Sequence, residues 1–150
     1  MKKSRPLIGI IAAEAEYVFF SNALNTIQKE LFAANMDAAV FSSLMMSGNA
    51  EFDAAENSVY DLVDFDLLDG IIIFPSSIND VTSRERLIAR IKSDFKGPVV
   101  SFDSQVDGFA NCIYNYEPVA DMMVSHIMDH HGCKVIDFVG GPKDCLLYTS

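Results

Sequence analysis

The chain has 150 residues, of which 50% are hydrophobic and 21% charged, a balance that supports a buried core and excludes a disordered segment. Its net charge of -10 excludes a nucleic-acid-binding face, because phosphate contacts need clustered Lys and Arg. No run reaches the ~18 to 20 apolar residues of a membrane helix, and Glu14 and Glu16 break the first apolar run too early for a signal-peptide core.

Leu7 to Ala12 is an unbroken apolar run of the kind buried on both faces of a parallel sheet, and it predicts the first strand. Phe20, Leu24, Ile27, Leu31 and Ala34 alternate spacings of four and three, one stripe of an amphipathic helix. Asp37 to Ser42 predicts the second strand, and the small polar residues around Ser47-Gly48-Asn49 a loop. Asp53 and Glu56, three apart, predict a capping box opening the second helix ahead of Val59, Leu62 and Val63. Ile71 to Phe74 is the most apolar strand and is expected near the sheet centre. Thr82 and Glu85 repeat the capping spacing before Leu87, Ile88, Ile91 and Phe95, a third helix that Lys96-Gly97-Pro98 stops. Val99 to Phe102 and Asn111 to Tyr114 predict strands four and five. A fourth helix is expected from Pro118 to His131, with a further strand from Val135.

Strands alternating with helices imply right-handed βαβ crossovers, hence an α/β fold: an open, doubly wound parallel sheet in three α/β/α layers. Ligands of such sheets lie in the crevice at the carboxyl ends of the strands. The loops at 13–19, 74–80, 103–109 and 115–117 therefore hold the candidate site residues.

Four motifs fall in order along the chain: Leu7 to Ala12, Leu68-Asp69-Gly70-Ile71-Ile72-Ile73, Gly97-Pro98-Val99-Val100-Ser101-Phe102-Asp103, and His126-Ile127 followed by Gly132 and Val135-Ile136-Asp137-Phe138-Val139-Gly140-Gly141-Pro142. In this order they resemble the sensor domain of LacI/GalR repressors and of periplasmic sugar-binding proteins, the periplasmic-binding-protein-like type I fold. Asn115, Tyr116 and Cys133 stand where that family usually has Asp, Asn and a second His. The resemblance implies a first lobe over residues 6–131 and the opening of a second over 132–144. Because the strand pattern begins at Leu7, it also implies an output module beyond the second lobe rather than a leading helix-turn-helix. Two outputs fit that arrangement, an AraC-type DNA-binding domain in a transcription regulator and a GGDEF diguanylate cyclase. An extracytoplasmic transport-binding protein would need a leader. Cys145 to Ser150 match the translation of a transposase adapter, so the natural sequence is expected to diverge after Asp144.

On this reading the ligand is a sugar-like small polar effector. Its apolar C–H surface needs an aromatic cover, and its hydroxyls need planar donors and acceptors. The strand-end loops supply Tyr17, Phe19 and Phe20, then Ser76, Ser77 and Asn79, then Asp103, Ser104 and Gln105, then Asn115 and Tyr116; Phe20 also fits the core stripe of the first helix, and Ser76 and Ser77 a plain turn. Tyr17, Asp103 and Asn115 are the leading candidates.

Catalysis is not expected within these residues. Glu14 and Glu16 could form an acid/base pair, but no nucleophile or oxyanion donor is ordered around them. No Gly-x-Gly-x-x-Gly or Gly-Lys-Ser/Thr motif marks a nucleotide cofactor. Asp129-His130-His131-Gly132-Cys133 lacks the second spaced pair of a structural zinc site. The odd cysteine count, Cys112, Cys133 and Cys145, implies no disulfide framework. A homodimer, a cytoplasmic address, no membrane contact and no nucleic-acid contact by these residues complete the expectation; DNA would be reached only through the further module.

Overall fold

A computed structural model of the chain describes residues 5–15, 18–44, 50–137 and 139. Two compact units divide it, Met1–Cys112 and Ile113–Ser150. The first holds five parallel strands, β1 (Leu7–Ala13), β2 (Asp37–Ser43), β3 (Gly70–Ile73), β4 (Val99–Phe102) and β5 (Ala110–Cys112), in the order β2-β1-β3-β4-β5. That order reverses between β1 and β3, so the crevice of a doubly wound sheet falls there. Ile71 to Ile73 lie in the middle strand, as their unbroken hydrophobicity predicts.

Alternation along β1 divides the core between two faces of the sheet. Ile10 and Ala12 pack with Leu24 and Phe74, and are covered by Phe20, Ala23, Ile27 and Leu31 of α1 (Val18–Ala33), the predicted stripe. Ile11 and Ala13 face the other way and join Tyr60, Val63, Leu68, Ile71, Ile73, Leu87, Ile91 and Phe95, drawn from the segment before β3 and from α3 (Val81–Asp94). Helices on both faces give the α/β/α layering. Gly9 permits a close approach: a Cβ there would stand 2.6 Å from the Leu68 Cδ1.

Helix ends follow local chemistry. Asn35 takes a left-handed φ of 60° just after α1, and the Met36 N–H donates to the Leu31 carbonyl at 2.8 Å, the glycine-type stop with asparagine in the glycine's place. The sequence pattern misplaces two other ends. α2 (Ala50–Asn57) begins before Asp53, so Asp53 and Glu56 lie inside it and form no capping box at its start. α3 is capped by Asp80, whose carboxylate accepts the Ser83 N–H at 2.8 Å, and not by Thr82, which lies within the first turn. After α2 the chain tightens into a short 3-10 turn, Ser58–Leu62, that inserts Tyr60 into the core.

β5 is shorter and earlier than expected, Ala110–Cys112 rather than Asn111 to Tyr114, and is exposed throughout. In the second unit, α4 (Glu117–His131) carries Pro118 in its first turn and ends on Gly132 at φ 62°. Residues 132–137 form no strand, contrary to the expectation from Val135 onward. Tyr17, Phe138 and residues 140–150, including the Gly-Gly-Pro end and the adapter-like tail, lie outside the described residues.

Candidate functional site

Parallel pairing brings the carboxyl ends of β1 to β4 to one edge of the sheet, and two polar groupings form there. The first joins β3 to β4. Asp103, directly after β4, adopts a φ of 66°, and its N–H donates to the Cys112 carbonyl at 2.9 Å. Asparagine and aspartate tolerate this left-handed geometry better than other side chains. The Ser76 hydroxyl donates to Asp103 Oδ2 and the Ser104 hydroxyl to Oδ1 at 3.2 Å. Burial pushes the Asp103 carboxyl above its ordinary range, and the two serine hydrogen bonds offset part of that rise. Ser101 anchors the turn from below by donating to the Ser104 carbonyl at 2.6 Å. Asn111 holds the loop that follows, accepting from the Val106 N–H at 2.8 Å and donating to the Val106 and Phe109 carbonyls.

The second grouping surrounds a cleft at the ends of β1 and β2, beside α2 and the loop after β3. Here Glu14 takes a φ of 55°, and its N–H donates to the Ser43 carbonyl at 3.0 Å. Beneath it Tyr60 is buried. Its hydroxyl donates to the Ala12 carbonyl and lies 2.9 Å from the Ser43 hydroxyl. A phenol has one proton, so Ser43 donates to Tyr60. Burial raises the Tyr60 pKa, with the Ser43 hydrogen bond pulling the other way. Glu14, Asp53, Glu56, Asn57, Asn79 and Asp80 line the cleft above.

The sequence-predicted residues fall in several places. Ser76 and Asp103 are brought together, and Gln105 stands exposed two residues on. Ser77 is buried and its hydroxyl is engaged by backbone, accepting from the Ala13 N–H at 2.8 Å and donating to the Phe74 carbonyl at 2.7 Å; it braces β1 against β3. Asn79 belongs to the second grouping. Phe19 is exposed, edge-on to Phe20 at 5.3 Å, while Phe20 continues into a core stack with Phe74. Tyr17 lies outside the described residues.

Asn115 and Tyr116 belong to the second unit. Asn115 Oδ1 accepts the Glu117 N–H at 3.1 Å, turning the chain into α4, and the Tyr116 ring lies 5.7 Å from that of Tyr114. On α4 the rings of His130 and His131 both gather on His126, with the Nε2 atoms of His126 and His131 3.3 Å apart. Among the described residues, no three His, Cys, Asp or Glu side chains converge as a metal's ligands would, and no helix is long and apolar enough to cross a membrane.

Sequence reasoning found Ser104 beside Asp103 but missed Asn111, Asn57 and Tyr60 as site-shaping residues. Asn57 and Tyr60 sit in a stretch that reads as a plain helix. Asn111 carried one signal, a turn-forming side chain at the start of a short strand. No protein-family model matches the chain, and no curated protein matches it.

Proposed function

We propose that this chain carries the first lobe of a periplasmic-binding-protein-like type I sensor domain of the LacI/GalR kind. On this reading it contributes one wall of a cleft for a sugar-like polar effector. The observation that carries the reading is the Ser76–Asp103–Ser104 cluster at the carboxyl ends of β3 and β4. A partly buried carboxylate with two hydroxyls already ordered on it matches the demand of a polyol, whose vicinal hydroxyls pair with fixed planar acceptors and small donors. The ordered succession of the four LacI/GalR-like motifs supports the same reading. The protein then acts as a dimeric cytoplasmic regulator, and an AraC-type module beyond these residues contacts DNA. Effector closure acts on that module through contacts that differ between the open and closed lobes.

The test is a nuclear magnetic resonance titration of the 15N-labelled chain with a panel of pentoses, hexoses and polyols at millimolar concentration, where a single lobe binds weakly. The expected result is saturable shifts at Ser76, Asp103, Ser104 and Gln105 for one class of sugar, lost in Asp103→Ala. Absence of saturable shifts at these amides across the panel would overturn the assignment.

A further inference from the structure

The last turns of α4 gather three imidazoles that neither strand-end grouping uses. His126 and His130 stand about one helical turn apart, with ring centroids 4.9 Å from each other. His131 closes on His126 from the end of the helix, its ring centroid 5.0 Å away and its plane at 77°. The Nε2 atoms of His126 and His131 lie 3.3 Å apart. All three residues are exposed, so an ion reaches them without rearranging the fold.

Two imidazole nitrogens do not stand this close with both lone pairs facing an empty gap. Either one Nε2–H donates to the other nitrogen, or a metal ion sits between them. The separation suits the second arrangement as well as the first. Zinc–imidazole bonds of about 2.0–2.1 Å subtend an angle of about 104–111° across a 3.3 Å edge, which brackets the tetrahedral value. Two nitrogens cis in a square-planar site would stand about 2.9 Å apart. The place on the helix is a second, independent reason. His131 is the last residue of α4, directly before Gly132 at φ 62°. Unpaired carbonyls at a helix end carry the negative pole of its dipole, which favours a cation beside the last turn.

We propose that His126 and His131 form a zinc-binding pair at the carboxyl end of α4. Among the described residues no third His, Cys, Asp or Glu converges with them, so water completes the tetrahedron and the ion stays exchangeable. In the hydrogen-bonded pair one neutral ring carries its proton on Nε2. Binding moves that proton to Nδ1, so both Nε2 lone pairs face the ion and no net proton is released. His130 lays its ring at 35° to that of His126 and orients it, which makes His130 a positioning residue. Cys133 turns its thiol to the His131 carbonyl at 4.0 Å and takes no part. The proposal does not rest on the sugar-sensing reading, because the two sites share no residue.

The experiment is a calorimetric titration of the full chain with zinc chloride, after metal removal with EDTA and with the thiols kept reduced by a phosphine. It is repeated on His126→Ala, His131→Ala, His130→Phe and Cys133→Ser. Wild type is expected to show a saturable site at submillimolar zinc. Loss of either member of the pair removes the chelate and should weaken that site about a hundredfold. His130→Phe keeps a ring against His126 without a ligand atom and should bind as wild type does, and Cys133→Ser likewise. No saturable zinc binding, equal binding in wild type and both alanine variants, or a loss in Cys133→Ser would overturn the proposal. So would a loss in His130→Phe that matches His126→Ala, since it would make His130 the ligand.

Discussion

Replacing Tyr60 with Phe keeps the ring in the core and removes one hydroxyl. That hydroxyl donates to the Ala12 carbonyl at the end of β1 and receives the Ser43 hydroxyl at the end of β2. Each such hydrogen bond contributes about 1 kcal/mol net, so Tyr60→Phe should cost about 2 kcal/mol. In a chain of this size, where 1 kcal/mol moves the midpoint by about 2–4 °C, that lowers Tm by about 4–8 °C. Ser43→Ala removes only one of the two bonds and should cost about 1 kcal/mol. Because the pair shares that bond, the double variant should fall short of the sum by about 1 kcal/mol. Urea melts of the four proteins, read by circular dichroism, give the cycle directly. A loss below about 0.5 kcal/mol for Tyr60→Phe, or strict additivity, would show that the hydroxyl does not bridge the strand ends. The same burial predicts a pH effect. Unfolded tyrosine ionises near 10.0 and Tyr60 above it, so the folded state holds its proton where the unfolded one has released it. Stability should therefore fall as pH rises past 10.0 toward the folded value, and Tyr60→Phe should lack that component.

Asp103→Asn should stabilise the fold at neutral pH. The carboxyl is raised by burial, so wild type loses stability as pH climbs from the unfolded aspartate range through the folded value, and an amide that still accepts from Ser76 removes that loss. A pH series of thermal melts checks it, and an Asn variant that melts lower at neutral pH would contradict the burial argument. Asp80→Ala removes the α3 cap on the Ser83 N–H and should cost about 1 kcal/mol by urea denaturation; Thr82→Ala should cost much less, and the reverse ranking would restore the capping pattern read from the sequence.

What the sequence disclosed was set by range. The alternation of apolar runs with amphipathic stripes gave the strands and helices, since burial on both sheet faces writes itself into consecutive residues such as Ile71 to Ile73. Caps were less legible because several spacings satisfy the same rule. Asp53 with Glu56 and Thr82 with Glu85 both have the capping-box interval, yet the carboxylates of the first pair sit inside α2 beside the cleft, and Asp80 reaches the α3 start first. The Ser76–Asp103 contact joins residues 27 apart, and Tyr60 to Ala12 joins residues 48 apart. Topology could place Ser76 and Asp103 on one edge, because both end strands of a parallel sheet. It could not place Tyr60, whose approach depends on a 3-10 turn that hydrophobic periodicity reads as helix.

Two residues at the strand ends share a backbone peculiarity that explains why the chemistry divides into two groupings. Glu14 follows β1 and Asp103 follows β4, and each turns left-handed at φ 55° and 66°. Left-handed backbone costs a non-glycine residue roughly 1–2 kcal/mol, and a glycine at either place would avoid the cost. The expense is repaid by position. In each case the strained residue's own N–H still completes a link to a neighbouring strand, Glu14 to Ser43 and Asp103 to Cys112, so the carboxylate is fixed at the strand end where ligands of this fold class bind. Asn35, the remaining described non-glycine residue of this kind, closes α1 and has no such place. Substituting glycine at 103 therefore separates the two roles: the backbone should gain stability while binding at the proposed sugar site is lost, and a glycine variant that gains stability and keeps its ligand would disconnect the strain from function.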